Sequence, residues 1–278
     1  MFRLSAVVVI LLVSSGALAQ GKPCKADKEK KVVCPIELKG ALTTPLLPGA
    51  LPAVQEGLDP WTALDNPLVV CLAERRSWVG NEKVKMIIGA RWDRLSAMVD
   101  VFAKERASAH SLGKLPEVYL AVSPLTTYET VSGAISVIKP YAVKTGLYLV
   151  GAGNQRSLGV LPVALTAAGN PDKAPDAGQT FFVTVSKDTI GLEWNSKKTV
   201  FKDKPEKTGP PVDRERLAKA VARLQQETKV YFVAQIKLQS GPDVSWDRLF
   251  QTLTTIRSTA SKSTRGKAAA IALKLLTN

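Results

Sequence analysis

The sequence is poor in the residues from which most enzyme centres are built. Its 278 residues include one histidine, three cysteines and 6% aromatic residues. With His110 as the single histidine, zinc sites and proton relays that need several histidines are excluded. No acid–base pair, nucleophile set or metal-ligand spacing stands out either. We therefore predict a protein that is not an enzyme, with no catalytic residue, no cofactor and no metal.

Long apolar runs are also lacking, apart from one short run near the start of the chain. Arg3 precedes an apolar stretch over residues 4–13, and Ala17-Leu18-Ala19 offers the small residues that a signal peptidase recognises. The stretch is well short of the roughly 20 residues that span a bilayer, which excludes a polytopic membrane protein. We predict a cleaved signal peptide over residues 1–19 and a periplasmic protein. The alternative is an anchor in the inner membrane.

Export places the three cysteines in an oxidising compartment, where disulfides form. Cys24 and Cys34 flank a basic stretch, whereas Cys71 lies in an apolar run typical of a buried strand. A disulfide between Cys24 and Cys34 is the favoured prediction. A Cys34–Cys71 disulfide and no disulfide at all remain open as alternatives.

Acidic residues are outnumbered, because 24 Asp and Glu stand against 38 Lys and Arg, giving a formal net charge of +14. No nucleic-acid motif accompanies this charge, so we predict no nucleic-acid partner. A surface facing an anionic envelope polymer or lipid is one interpretation, and a solvated surface is another. Arg216, Lys219 and Arg223 lie near one side of a predicted helix that Asp213 caps. They form the candidate face for an anionic polymer, with a plain solvated helix face as the alternative.

Proline and glycine divide the chain. Residues 20–67 are rich in proline, which disfavours long helices and central strands and predicts an extended arm. Residues 152–178 are rich in Gly, Ala and Pro and predict a linker. The units on either side, 68–151 and 179–278, both alternate short apolar strands with helices that carry one apolar stripe. Within the second unit, residues 197–211 are predicted to be a basic loop.

Both units have the predicted order β-β-α-β-α-β, which indicates an internal duplication. A local match supports it, because Glu117-Val-Tyr-Leu-Ala121 corresponds to Lys229-Val-Tyr-Phe-Val233. Since each helix has a single apolar stripe, both helices of a unit are expected on one sheet face. The predicted fold is α+β, with two tandem two-layer sandwich domains. The apolar runs 118–122 and 230–234 are candidate sheet edges for a partner's strand. An envelope protein or a second copy of the chain is such a partner.

Several longer motifs carry a family resemblance. They are Pro116-Glu-Val-Tyr-Leu-Ala-Val-Ser123, Tyr128, Gly146-Leu-Tyr-Leu-Val150, Phe182-Val-Thr-Val-Ser-Lys-Asp188 and Val212-Asp-Arg-Glu-Arg-Leu217. Together they resemble the periplasmic domain of the ExbD/TolR family of biopolymer-transport proteins, over residues 68–151 and 180–276. Members of that family carry a transmembrane helix with an intramembrane Asp, whereas the apolar N-terminal stretch here contains no acidic residue.

The resemblance implies the domain fold and a role in the cell envelope. The predicted function is a non-enzymatic exported binding or adaptor module, whose partner is an envelope protein or cell-wall polymer. Peripheral contact with the membrane and a homodimer are further expectations. The alternative function is a membrane-anchored accessory component of a proton-driven transport system.

Overall fold

The computed structural model describes residues 51–54, 56–60, 67–73, 76–80, 82–84, 91–109, 115–153, 158–163, 180–203, 211–229, 233, 235–262 and 270–273. The predicted signal peptide, Cys24, Cys34 and His110 lie outside these residues, as does most of the predicted arm. No helix in the described ranges is both long enough and apolar enough to cross a membrane.

Helices and strands alternate along both halves of the described chain. The helices are α1 (Arg91–Ala109), α2 (Tyr128–Thr145), α3 (Arg214–Thr228) and α4 (Trp246–Lys262). The strands of the first half are β1 (Asp59–Pro60), β2 (Leu68–Ala73), β3 (Arg76–Val79), β4 (Glu82–Lys83), β5 (Val118–Val122), β6 (Leu147–Ala152) and β7 (Leu158–Val163). Those of the second half are β8 (Thr180–Val185), β9 (Thr189–Trp194), β10 (Lys197–Lys202), β11 (Gln235–Ser240) and β12 (Ala270–Leu273).

The two halves pair their strands in the same way. In the first half, β2 is antiparallel to β3 and parallel to β5, and β5 is parallel to β6. In the second half, β8 is antiparallel to β9 and parallel to β11, and β11 is parallel to β12. The strand order is β10-β9-β8-β11-β12-β7-β6-β5-β2-β3-β4, with β1 paired to β7. Four helices and a mixed set of strands confirm the predicted α+β class.

Strand β7 joins the two halves and lies inside the segment predicted to be a linker. It is antiparallel to β6, and it pairs with β12 at one position, Val163 with Ile271. The linker prediction missed this strand because it rested on the Gly, Ala and Pro content of the whole segment, to which Gly159 and Pro162 contribute. A glycine is needed here for packing, since a Cβ at Gly159 would lie 2.6 Å from the Cβ of Leu58. Residues 164–178 of the predicted linker lie outside the described residues.

The predicted sheet edge over 118–122 is an interior strand, because β5 lies between β2 and β6. Of the predicted edge over 230–234, only Val233 is among the described residues. Strand β11 begins at Gln235 and lies between β8 and β12. Along β11, Ile236 and Leu238 are buried while Lys237 and Gln239 are exposed. This period of two is typical of a strand with one buried face.

Residues from all four helices meet strand residues of both halves in one buried cluster. Leu95, Ile135, Leu217 and Leu253 contribute to it from α1, α2, α3 and α4. The other sheet face differs between the halves. In the first half it is apolar and buried, with Cys71 among its residues and Leu51 packed on it. In the second half it carries exposed residues, which are Phe182, Thr184, Lys237 and Gln239.

The loops that lead into α2 and α4 bond to each other, and we call them the crossed loops (residues 123–129 and 241–247). Each loop supplies backbone N–H donors from the first turn of its own helix to carbonyls of the other loop. The donor–acceptor pairs are Tyr128 to Val244 (2.9 Å), Glu129 to Pro242 (2.9 Å), Trp246 to Thr126 (2.7 Å) and Asp247 to Pro124 (3.0 Å). The first amides of a helix have no partner within it, so each half completes a helix of the other.

Helix α4 lies at the centre of the molecule, and every residue from 248 to 257 is buried. Arg248 is 3% exposed and donates from its Nε to the carbonyl of Ser186 at 2.9 Å. Its two terminal nitrogens bond the carboxylate and the carbonyl of Asp203, each at 2.8 Å, and the carbonyl of Pro211 at 2.6 Å. One buried arginine therefore ties α4 to the β8–β9 turn, to the end of β10 and to the entry of α3.

Candidate functional site

A cleft of about 360 Å³ lies between helix α3 and strand β10. We call it the basic cleft. It is lined by Lys198, Thr199, Phe201, Arg216, Lys219, Ala220, Arg223, Leu224 and Glu227. The structure thus brings together the three residues of the predicted anionic-polymer face, Arg216, Lys219 and Arg223, and adds Lys198 from the strand. Four basic residues and one acidic residue line the cleft, and the Lys198 ammonium pairs with Glu193 of the neighbouring strand at 3.0 Å.

The spacing of α3 explains why the three basic residues share one wall. Asp213 precedes the helix, and its carboxylate accepts a hydrogen bond of 3.0 Å from the backbone N–H of Arg216. Leu217, Val221 and Leu224 follow at helical spacing and are buried against the sheet. Arg216, Lys219 and Arg223 are spaced three and four residues apart, so they form a row next to that stripe. The predicted cap and apolar stripe of this helix are confirmed.

Arg216 is held in place by the strand. Its guanidinium carbon lies 5.1 Å from the centroid of the Phe201 ring, which is a cation–π contact. Its Nη1 donates to the backbone carbonyl of Lys202 at 3.0 Å. Arg216 therefore links α3 to β10 and fixes the width of the cleft at this end.

Lys219 and Arg223 are exposed, and each forms an ion pair that another anion can replace. Lys219 pairs with Glu215 at 2.5 Å, and Arg223 pairs with Glu227 at 2.6 Å. The hydrogen bond to Glu215, together with its charge, raises the pKa of Lys219. Both pairs join residues four apart on a solvated helix, where ion pairs are weak and screened by salt. Another anion can therefore replace Glu215 or Glu227 at little cost.

The strand side of the cleft was missed by the sequence prediction. Residues 197–211 were predicted to be a basic loop, but Lys197–Lys202 forms strand β10 and pairs with β9 along its whole length. Asn195 and Ser196 form the two-residue turn between them, with φ angles of 45° and 65°. A polar pair of this kind between alternating segments is the signal of a tight hairpin. Within the strand, the half-buried Thr199 and Phe201 alternate with the exposed Lys198, Val200 and Lys202.

A second cleft, of about 220 Å³, lies between α3 and α4 beside residues 53–57. Its charged lining residues are Glu56, Arg214 and Glu215, so it has no excess of positive charge. Arg214 is already bonded to the side chain of Gln251 at 3.1 Å and to the carbonyl of Ala53 at 2.9 Å. In this second cleft, Arg214 bonds the segment that precedes β1 to the helices. The basic cleft is therefore the stronger candidate for an external ligand.

Comparison of the chain with known proteins gives no match. No family model, curated protein or solved structure matches the chain. Within the described residues, no group of three or more His, Cys, Asp or Glu side chains is arranged to hold a metal ion. What the basic cleft can do chemically is attract and hold anionic groups.

Proposed function

We propose that this chain is a non-enzymatic, exported envelope protein that acts as a binding or adaptor module through the basic cleft. The observation that carries the proposal is the row of Arg216, Lys219 and Arg223 along one wall of a cleft whose lining also includes Lys198 and a single acidic residue, Glu227. The proposed partner is an anionic component of the envelope, either a protein or a cell-wall polymer. Export is proposed from the signal-like residues 1–19.

The proposal includes two tandem units of one design, residues 68–151 and 179–278, each a two-layer sandwich with its helices on one sheet face. Two observations support a duplication. The strand pairing of β3, β2, β5 and β6 recurs in β9, β8, β11 and β12. In the crossed loops, the two bonds donated by α2 are repeated by two bonds donated by α4, with the roles of the halves exchanged. The resemblance to the periplasmic domain of ExbD/TolR proteins is proposed on the motifs described above.

The charges of the cleft imply a binding mode that depends on salt. Lys219 and Arg223 have side chains that are 75% and 80% exposed, so ions in solution compete directly with a ligand. The screening length shortens from about 30 Å at 0.01 M salt to about 8 Å at 0.15 M. A partner that contacts several of these charges therefore binds more weakly as salt is raised.

The test is a pull-down of the purified protein with isolated cell-wall polymer at about 0.01 M and about 0.15 M salt. The wild type is compared with the double variant Lys219→Glu/Arg223→Glu. Arg216 is left unchanged because it also fixes the position of β10. The matched control is Lys104→Glu/Lys187→Glu, which makes the same change in net charge and also removes two exposed ion pairs, with Asp100 and Asp243.

We expect the wild type and the control to be retained at low salt and released at the higher salt. The double variant should be lost at both concentrations. Equal retention of all three proteins would contradict binding at the basic cleft. Retention of none of them would contradict a cell-wall polymer as the partner.

A further inference from the structure

Strand β10 ends the sheet, and the basic cleft lies along its outer side. Among the described residues, β10 pairs with β9 alone. Across a two-residue turn, Trp194 and Lys197 form the first hydrogen-bonded pair, so the backbone groups of Thr199 and Phe201 also face β9. The N–H and C=O groups of Lys198 and Val200 therefore point away from the sheet. They are placed to bond a further strand.

Helix α3 faces the place that such a strand would occupy. The lining of the basic cleft includes Lys198, one of these two edge residues, together with the basic row of α3. Alternate side chains of a strand point to opposite sheet faces. Every second side chain of an added strand would therefore enter the cleft and meet Lys219 and Arg223, while the side chains between would face solvent.

We propose that the basic cleft accepts an extended acidic segment of a protein, which adds to the sheet beside β10 and points acidic side chains at alternate positions toward α3. The inference rests on the proposed function and specifies its partner. The backbone groups of Lys198 and Val200 supply binding that does not depend on the peptide's sequence, and the basic row supplies selectivity for charge.

Charge complementarity decides among the occupants of this edge. A second copy of the chain pairing through its own β10 would place Lys197, Lys198 and Lys202 against the same lysines, and like charges across a strand pair are destabilising. A cell-wall polymer satisfies the charges but lacks the regular row of amides that matches a strand edge. Lysines on an edge strand also deter unspecific pairing. Among these candidates, an acidic segment is the strand whose charge best complements the lysines of this edge.

The experiment uses the full chain and a fluorescent nine-residue peptide of alternating Asp and Thr, with binding followed by fluorescence anisotropy at low salt. Two further peptides have the same sequence and charge but carry N-methyl groups. In one, the methyl groups are on the Asp residues; in the other, they are on the Thr residues. Only one of these sets faces β10 in a paired strand, since successive N–H groups alternate in direction.

We expect one methylated peptide to bind at least about tenfold more weakly than the parent and the other to bind within about twofold of it. The variant Val200→Pro removes one outward N–H and leaves the pairing with β9 intact, since proline is tolerated on edge strands at such positions. It should weaken binding of the parent peptide relative to Val200→Ala. Slower hydrogen exchange at Lys198 and Val200 on adding peptide is the independent check.

The other outcomes separate this inference from the proposed function. If both methylated peptides bind as well as the parent, the cleft recognises charge alone, and strand addition is refuted while the proposed function stands. Strand addition is also refuted, and the proposed function still stands, if the cell-wall polymer is retained and no peptide binds. If neither binds, or if Lys219→Glu/Arg223→Glu binds each as well as the wild type does, the basic cleft is not the binding site and both fail.

Discussion

Replacing the buried Arg248 with methionine tests how much the centre of the molecule depends on one side chain. Arg248 and Asp203 are 3% and 7% exposed, so Arg248→Met leaves a carboxylate buried without its countercharge. The carbonyls of Ser186 and Pro211 lose their donors as well. Breaking a buried ion pair on one side costs about 3–5 kcal/mol. That is a large share of the 5–15 kcal/mol that is roughly the stability of a domain.

The free energy of unfolding is measured by urea denaturation, with circular dichroism as the signal. Arg248→Met should lower it by about 3–5 kcal/mol. The double variant Arg248→Met/Asp203→Asn should recover part of this loss, because the buried charge is gone. The matched control is Arg223→Met, which removes an exposed arginine–glutamate pair and should change the free energy by less than about 0.5 kcal/mol.

Two results would refute this reasoning. A loss below about 1 kcal/mol for Arg248→Met would mean that solvent reaches the pair or that Asp203 finds another donor. Equal stability of the single and double variants would mean that the lost hydrogen bonds to carbonyls, rather than the unpaired carboxylate, dominate the cost.

Two further predictions concern a close approach and a buried carboxyl group. Gly151→Ala would place a Cβ 2.4 Å from Cε1 of Phe250, within the buried core, and should cost about 1–3 kcal/mol in urea denaturation. The control is Gly191→Ala, whose nearest neighbour is 3.6 Å away; a similar loss in both would contradict the packing argument. Burial raises the pKa of Asp247. Its stabilising contribution is therefore fully present below the unfolded pKa and is lost as pH rises through the folded pKa. Asp247→Asn should then be more stable than the wild type at neutral pH, with the difference vanishing at low pH. An unchanged difference across this range would count against it.

Local patterns in the sequence predicted much of the fold. The run around Cys71 forms a buried strand, and Asp213 caps a helix whose apolar stripe is buried. The row of Arg216, Lys219 and Arg223 followed from helical spacing alone. These predictions succeed because each depends on residues within a few turns of one another.

The elements that were missed depend on distant contacts. β7 contains Gly159 and Pro162, and its pairing with β6, β1 and β12 makes it a strand. The basic cleft needs the alignment of β10 beside α3, which no local pattern specifies. The crossed loops are marked in the sequence only by Pro124 and Pro242, which occupy the same place in the two loops, and their pairing joins residues far apart in the chain.

The crossed loops also bear on the order in which the chain is made. The amides of Tyr128 and Glu129 donate their hydrogen bonds to the carbonyls of Val244 and Pro242, respectively. These lie roughly 115 residues later, and a ribosome adding about 5–20 residues per second needs about 6–23 seconds to supply them. During that interval the first half has emerged while the start of α2 is bonded to water. During synthesis, the first half of this protein therefore lacks its partners from the second half for several seconds. A chaperone that holds incompletely folded chains has its longest opportunity to bind in that interval.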